Sequence, residues 1–187
     1  MYLFLIPLLL GFALAGASAF TAAYSRRWGE QGGQLASVIL RNFLGIPIWF
    51  FGFILAWIQS APTLFISGRG INILGWLLII TGSVPFIWGH LVLGRPTHMP
   101  SMRDTLVRHG LYAYVRHPIY AGGLLVFVGL ALLKPTPTVV LVCAIGFGWL
   151  IIQALLEEVD LVQRLPTYRG YMEQAPRFLP RIRRRQP

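Results

Sequence analysis

Asn72 to Leu93 reads NILGWLLIITGSVPFIWGHLVL, a run without Asp, Glu, Lys or Arg. As a helix rising 1.5 Å per residue it covers the roughly 30 Å of a bilayer's hydrocarbon core. Working outward, four more apolar runs lie at 2–23, 43–58, 119–133 and 138–156. Lys134-Pro135-Thr136-Pro137 joins the last two so tightly that they read as a helical hairpin. Gly75, Gly82 and Gly89 recur every seven residues on one face of the central run; Gly11, Ala15 and Ala19 recur every four on the first. Small residues at such spacing let helix backbones approach closely in lipid. The sequence therefore predicts an all-α fold, a polytopic membrane helix bundle with about five transmembrane helices.

Composition points the same way. Of 187 residues, 56% are hydrophobic and 12% charged, whereas a soluble domain carries about a quarter charged. A disordered tail, an ordinary soluble enzyme and a nucleic-acid binder are excluded, although the net charge is +10. Segments 24–42, 94–118 and 157–187 hold 3, 4 and 7 Lys/Arg, while the alternate connections hold only Arg69 and Lys134. Positively charged connections stay on the cytoplasmic side, so the N-terminus is expected outside and the C-terminus in the cytoplasm. Ala15 to Ala19 resembles a signal-peptidase site, but no Lys or Arg precedes it and Arg26-Arg27 follow. The run is read as a retained first span. Cys143, the lone cysteine, lies inside the fifth run and reads as a small packing residue.

Polar chemistry is left to segments 94–122 and 153–187. Arg103 to Gly123 reads RDTLVRHGLYAYVRHPIYAGG, with Arg116-His117-Pro118 leading into the fourth run. Pro118 suits a first helical turn. The free N–H groups of that turn, with Arg116 and His117 beside them, would attract a carboxylate or phosphate. The same residues also suit plain anchoring to lipid headgroups. Glu157, Glu158 and Asp160 sit just past the fifth run. Asp160 has Arg164 at i+4, a favourable pair if the helix continues. Glu157 and Glu158 have only Leu161 and Val162 there. Acids at a membrane boundary without local partners point to a cationic ligand or a distant arginine. An anion-attracting end facing an acidic end suits a zwitterion such as S-adenosylmethionine, with Tyr112, Tyr114 or Tyr120 for its adenine. The residues alone do not select that molecule. His90, His98, His109 and His117 are dispersed, with only Asp104 near them at ligand spacing, so no metal site is expected.

These residues resemble the isoprenylcysteine carboxyl methyltransferase and phospholipid methyltransferase group of membrane enzymes. The matching pieces are Leu106-Val107-Arg108-His109-Gly110-Leu111-Tyr112, then Arg116-His117-Pro118-Ile119-Tyr120-Ala121-Gly122. Glu157-Glu158, Tyr168, Tyr171 and Pro176-Arg177-Phe178-Leu179-Pro180 follow in order. The resemblance implies S-adenosylmethionine as methyl donor, bound through Leu106, Val107, Tyr112, His117, Pro118, Ile119, Tyr120 and a glutamate of the Glu157-Glu158 pair. Arg116, His117, Glu157 and Glu158 are the expected catalytic group. A lipophilic or membrane-embedded acceptor (carboxylate, amine or thiol) would come sideways from lipid.

Two departures stand out. Prenylcysteine methyltransferases place an arginine about one helical turn before the pocket glutamate, to meet the acceptor carboxylate. That position is Gln153 here, or Ala154 if the second glutamate is the counterpart. Leu165-Pro166-Thr167 also replaces the Phe-Gly that precedes the paired tyrosines. The whole chain is read as one integral membrane domain, 1–93 supplying three spans and 94–187 the cofactor-binding hairpin and basic tail. Bacterial inner membrane and eukaryotic endomembrane both fit. Two rival readings stay open: an NADPH-dependent membrane reductase of related architecture, and a non-catalytic protein whose tail (Arg181, Arg183, Arg184, Arg185) binds anionic lipid.

Overall fold

The computed structural model describes residues 2–66 and 68–181. Arg183, Arg184 and Arg185 of the basic tail lie outside the described residues. Every regular element among those described is helical: α1 (Leu5–Ala17), α2 (Thr21–Val38), a π-helical stretch (Ile39–Gly45), α3 (Ile46–Ile58), α4 (Arg69–Leu93), α5 (Pro118–Leu133), α6 (Pro137–Arg164) and α7 (Tyr168–Gln174). Short 3₁₀ turns lie at Arg95–Thr97 and Gly110–Ala113. Thr21–Ile58, Arg69–Leu93 and Pro137–Arg164 are long and apolar enough to cross a membrane, and Leu5–Ala17 and Pro118–Leu133 are shorter apolar helices. This is a helical membrane bundle.

Two expected boundaries differ from the observed ones. The first run, 2–23, is not one helix, because α1 stops at Ala17 and Phe20 leaves helical geometry (φ −92, ψ 50). Ser18 turns its hydroxyl back to the Ala15 carbonyl at 2.6 Å, one of the local bonds by which serine competes with the helical ladder. The second run, 43–58, is only the apolar end of a longer rod that starts in the polar segment and passes through the π-helical stretch.

Within α2 the chain reverses. Gly29 adopts φ +73, a left-handed value that suits glycine. Thr21 and Ser37 then share a hydroxyl–hydroxyl bond of 2.9 Å across sixteen residues, where a continuous helix would hold them about 24 Å apart. A Cβ on Gly33 would fall 2.2 Å from the Ser25 hydroxyl, which confirms that the two limbs lie against each other.

Small residues set the packing, as their spacing led one to expect. Gly75, Gly82 and Gly89 all face α5, and a Cβ on Gly82 would stand 2.5 Å from the Gly122 carbonyl. Gly11 backs onto the Trp49 backbone nitrogen, where an added Cβ would come within 2.2 Å. Such approach maximises dispersion contact in a solvent that offers no hydrophobic drive. Phe4, just ahead of α1, with Leu8 and Phe12 of α1, meets Ala56 of α3 and Val142 of α6 in the main core. Phe12 stacks on both Trp49 (5.6 Å) and Trp149 (5.2 Å). Cys143 is buried beside this core.

Candidate active site

Pro118 opens α5 as its first residue, and α6 runs on past the apolar stretch that ends at Leu156 to Arg164. Glu157, Glu158 and Asp160 therefore lie within a helix rather than beyond its end. Their charges do not crowd the negative pole of the dipole as a helix ending at 156 would make them do. Both ends of the α5–α6 pair converge here with α7 and the segment that follows it.

Glu158 is almost completely buried, at 4% exposure, and is surrounded by cations. Arg177 donates through Nε (3.0 Å) and Nη2 (2.8 Å). Arg116 Nη2 lies 3.2 Å and His117 Nε2 3.1 Å from the Oε1 atom. Burying this carboxylate is costly, and the hydrogen bonds from His117 and Arg177 with the nearby Arg116 guanidinium offset that cost. The backbone joins in: the Arg116 N–H donates to the Pro176 carbonyl (2.9 Å) and the His117 N–H to that of Arg177 (3.0 Å). Arg116 also donates to the Met172 carbonyl (3.2 Å). Phe178 tilts against the His117 ring at 6.2 Å. Residues 175–178 thus run as a strap across the start of α5, and Glu158 is its lock.

Arg116 and His117, expected to face an incoming anion, are turned onto Glu158 instead. The distant arginine that its isolation suggested is Arg177, nineteen residues away, with Arg116 beside it.

Glu157 is half-buried and differently placed. Tyr120 donates its hydroxyl to Oε1 at 2.5 Å and Gln153 Nε2 donates to the same oxygen at 3.3 Å. Both partners are neutral, and the ion pairs of the described residues do not include Glu157. Gln153 Nε2 also reaches the Ala15 carbonyl (3.4 Å). Since both its neighbours are pure acceptors, the amide orientation is fixed. Its Oε1 is buried without a partner. The Tyr120 ring stacks on His117 at 5.6 Å.

The other expected positions spread around this pair. Tyr112 is buried and points its hydroxyl to the Gly89 carbonyl at 3.4 Å. Burial and then the Glu157 charge raise its phenol. Tyr171, whose hydroxyl is pushed up to about 12 by burial, donates to the Tyr112 carbonyl at 2.5 Å. Leu106 packs against the Leu165, Tyr168, Tyr171 and Ala175 cluster. Pro118 is buried, and Ile119 lies against Gly89. Val107 is half-buried beside Leu106 in the chain. Local sequence spacing missed Arg177 and Tyr171 as organisers; only the matching C-terminal motif marked them. A cleft of about 470 Å³ lies elsewhere, between Gln59, Thr63, Lys134 and Thr136 at the opposite end of α6. No group of three or more His, Cys, Asp or Glu among the described residues is arranged to hold a metal ion.

Residues 71–165 match the phospholipid methyltransferase family. The chain belongs to that family. The cobalt-zinc-cadmium resistance protein CzcN of Cupriavidus metallidurans is 31% identical over 112 residues, 58% of this chain. The matched region spans about half (49%) of that relative's length. No solved structure matches the chain.

Proposed function

We propose that the protein is an S-adenosylmethionine-dependent methyltransferase acting on a lipophilic acceptor, with Glu157 as the acid that meets the donor. The observation that carries this reading is the contrast within the acidic pair. Glu158 is met by Arg116, His117 and Arg177, whereas Glu157 takes its hydrogen bonds from neutral Tyr120 and Gln153 and enters no ion pair among the described residues. A half-buried carboxylate of that kind fits a cation, and the donor carries both an ammonium and a sulfonium. Tyr120 and Gln153 fix the carboxylate's orientation, so it is set before the ligand arrives. Tyr112, Pro118, Ile119, Leu106 and Val107 line the surrounding framework in this reading.

When bound, S-adenosylmethionine supplies an electrophilic methyl group. The chain's own work is then alignment: holding the donor's cationic end at Glu157, excluding water and presenting an acceptor in line. Such positioning is worth on the order of 7–11 kcal/mol of barrier in good cases. His117 Nε2 is committed to Glu158, which makes its part that of a bracket for the strap rather than a free base. Gln153 stands where prenylcysteine enzymes have an arginine and so offers no positive charge to an acceptor carboxylate; an amine, thiol or lipid headgroup is the better match. In the same reading the chain crosses the membrane five times with the site on the cytoplasmic face. Single-cysteine labelling at Ser60→Cys and Arg169→Cys checks this, with only the first reacting from outside.

Calorimetric titration of the detergent-purified protein with S-adenosylmethionine tests the assignment. Saturable binding that Glu157→Gln weakens about 10- to 100-fold is the expected result. No binding by a well-folded wild type, or equal binding by that variant, overturns it. Binding of NADPH in its place would turn the assignment to a reductase.

A further inference from the structure

Arg164 is half-buried as a residue, with only 7% of its side chain exposed, and is bound on three sides. Its Nε donates to Asp160 at 2.5 Å. Its Nη1 donates to the Ser101 carbonyl (2.7 Å) and to Asp104 Oδ2 (2.8 Å). The i+4 spacing accounts for Asp160 alone. Ser101 and Asp104 come from a different part of the chain, the strand of irregular structure between α4 and Leu106.

That strand makes further bonds to the N-terminal half. Ser101 Oγ donates to Glu30 Oε1 at 3.0 Å, and Arg103 pairs with Glu30 at 2.9 Å. Gln34 reaches the Met99 carbonyl (3.2 Å) and Asn42 that of His98 (2.9 Å). Ser101 and Asp104 also close on each other, the Ser101 N–H donating to Asp104 Oδ2 at 2.9 Å. The third side of the ring is direct. Asp160 Oδ1 accepts the Ala22 N–H at 2.6 Å, near the start of α2, which has no side-chain cap of its own. A carboxylate there satisfies an orphan donor and favours the positive pole of the helix.

We propose that Arg164 is a positioning residue for donor binding. Its planar fork ties the 98–104 strand to α6 and so sets where Leu106, Val107 and Tyr112 stand relative to Glu157. Arg164 belongs to α6 seven residues past Glu157, so the strand and the acid are referenced to one rigid helix. The glycine contacts between α4 and α5 and between α1 and α3 hold the bundle without it, so its loss loosens the strand and spares the fold. Lysine does not replace it, because one ammonium on a flexible stem lacks the rigid fork that spans Asp160, Asp104 and the Ser101 carbonyl.

This inference rests on the methyltransferase reading above, and one experiment separates the two. Wild type, Arg164→Lys, Arg164→Gln, Asp104→Asn and the Arg164→Gln/Asp104→Asn double variant are titrated with S-adenosylmethionine well below their melting temperatures. Amide exchange of each is followed in parallel. Expected are a roughly tenfold loss of affinity in all four variants, no further loss in the double variant, and faster exchange confined to residues 98–107. Affinities within twofold of wild type, or exchange that rises through α4, α5 and α6 together, overturn the positioning role. Wild type that fails to bind the donor overturns the methyltransferase reading and this inference with it, a result distinct from binding that all variants share.

Discussion

Two neighbouring carboxylates on α6 occupy opposite settings. Glu158 faces the post-α7 strap and is held by two arginines and a histidine, with 4% of its surface exposed. Glu157, one residue earlier and so about 100° round the helix, faces Tyr120 and Gln153 and makes no ion pair among the described residues. On the proposed reading the first acid is a fastener and the second a receptor, two identical residues divided by the way each side chain turns.

The largest expected effect breaks the fastener. Removing one partner of a buried ion pair leaves the others uncompensated, at about 3–5 kcal/mol. Glu158→Ala should therefore lower the melting temperature in detergent and free the strap to limited proteolysis after Gln174. If its stability matches wild type, the contrast between the two acids collapses. Next comes the receptor. Glu157→Gln keeps the shape and the bond from Tyr120 but loses the charge, so donor affinity should fall about 10- to 100-fold. Its melting temperature should stay near that of wild type.

The smallest effect is Tyr120→Phe, which removes one neutral donor from Glu157. Donor affinity should drop about 3- to 10-fold, and an unchanged value would mean that the tyrosine does not orient the acid.

Much of the fold was legible because hydrophobic length and the spacing of small residues are local signals. Asn72 to Leu93 marked α4, Pro118 marked the start of α5, and the heptad glycines marked the face on which they meet. The break at Ser18 was invisible, since Ala15 to Phe20 contains no proline or charge and a lone serine is common inside a helix. So was the reversal at Gly29, one of several glycines in a polar stretch. In the site, i+4 spacing found the Asp160–Arg164 pair, but no spacing rule reaches from Glu158 to Arg177 or from Arg164 to Asp104. Those bonds are products of the fold. The resemblance located the participating motifs without assigning the two glutamates to different tasks.

The strap that locks onto Glu158 also has a temporal side. A nascent chain emerges from its N-terminus at about 5–20 residues per second, and α1 to α6 can assemble as each helix becomes available. Throughout that interval Glu158 faces Arg116 and His117 alone, and the N–H groups of both lack the Pro176 and Arg177 carbonyls that later accept from them. The strap therefore closes only after every helix it fastens has left the ribosome. A chain cut ahead of residue 176 would keep α1 to α6 but leave Glu158 without the two hydrogen bonds from Arg177.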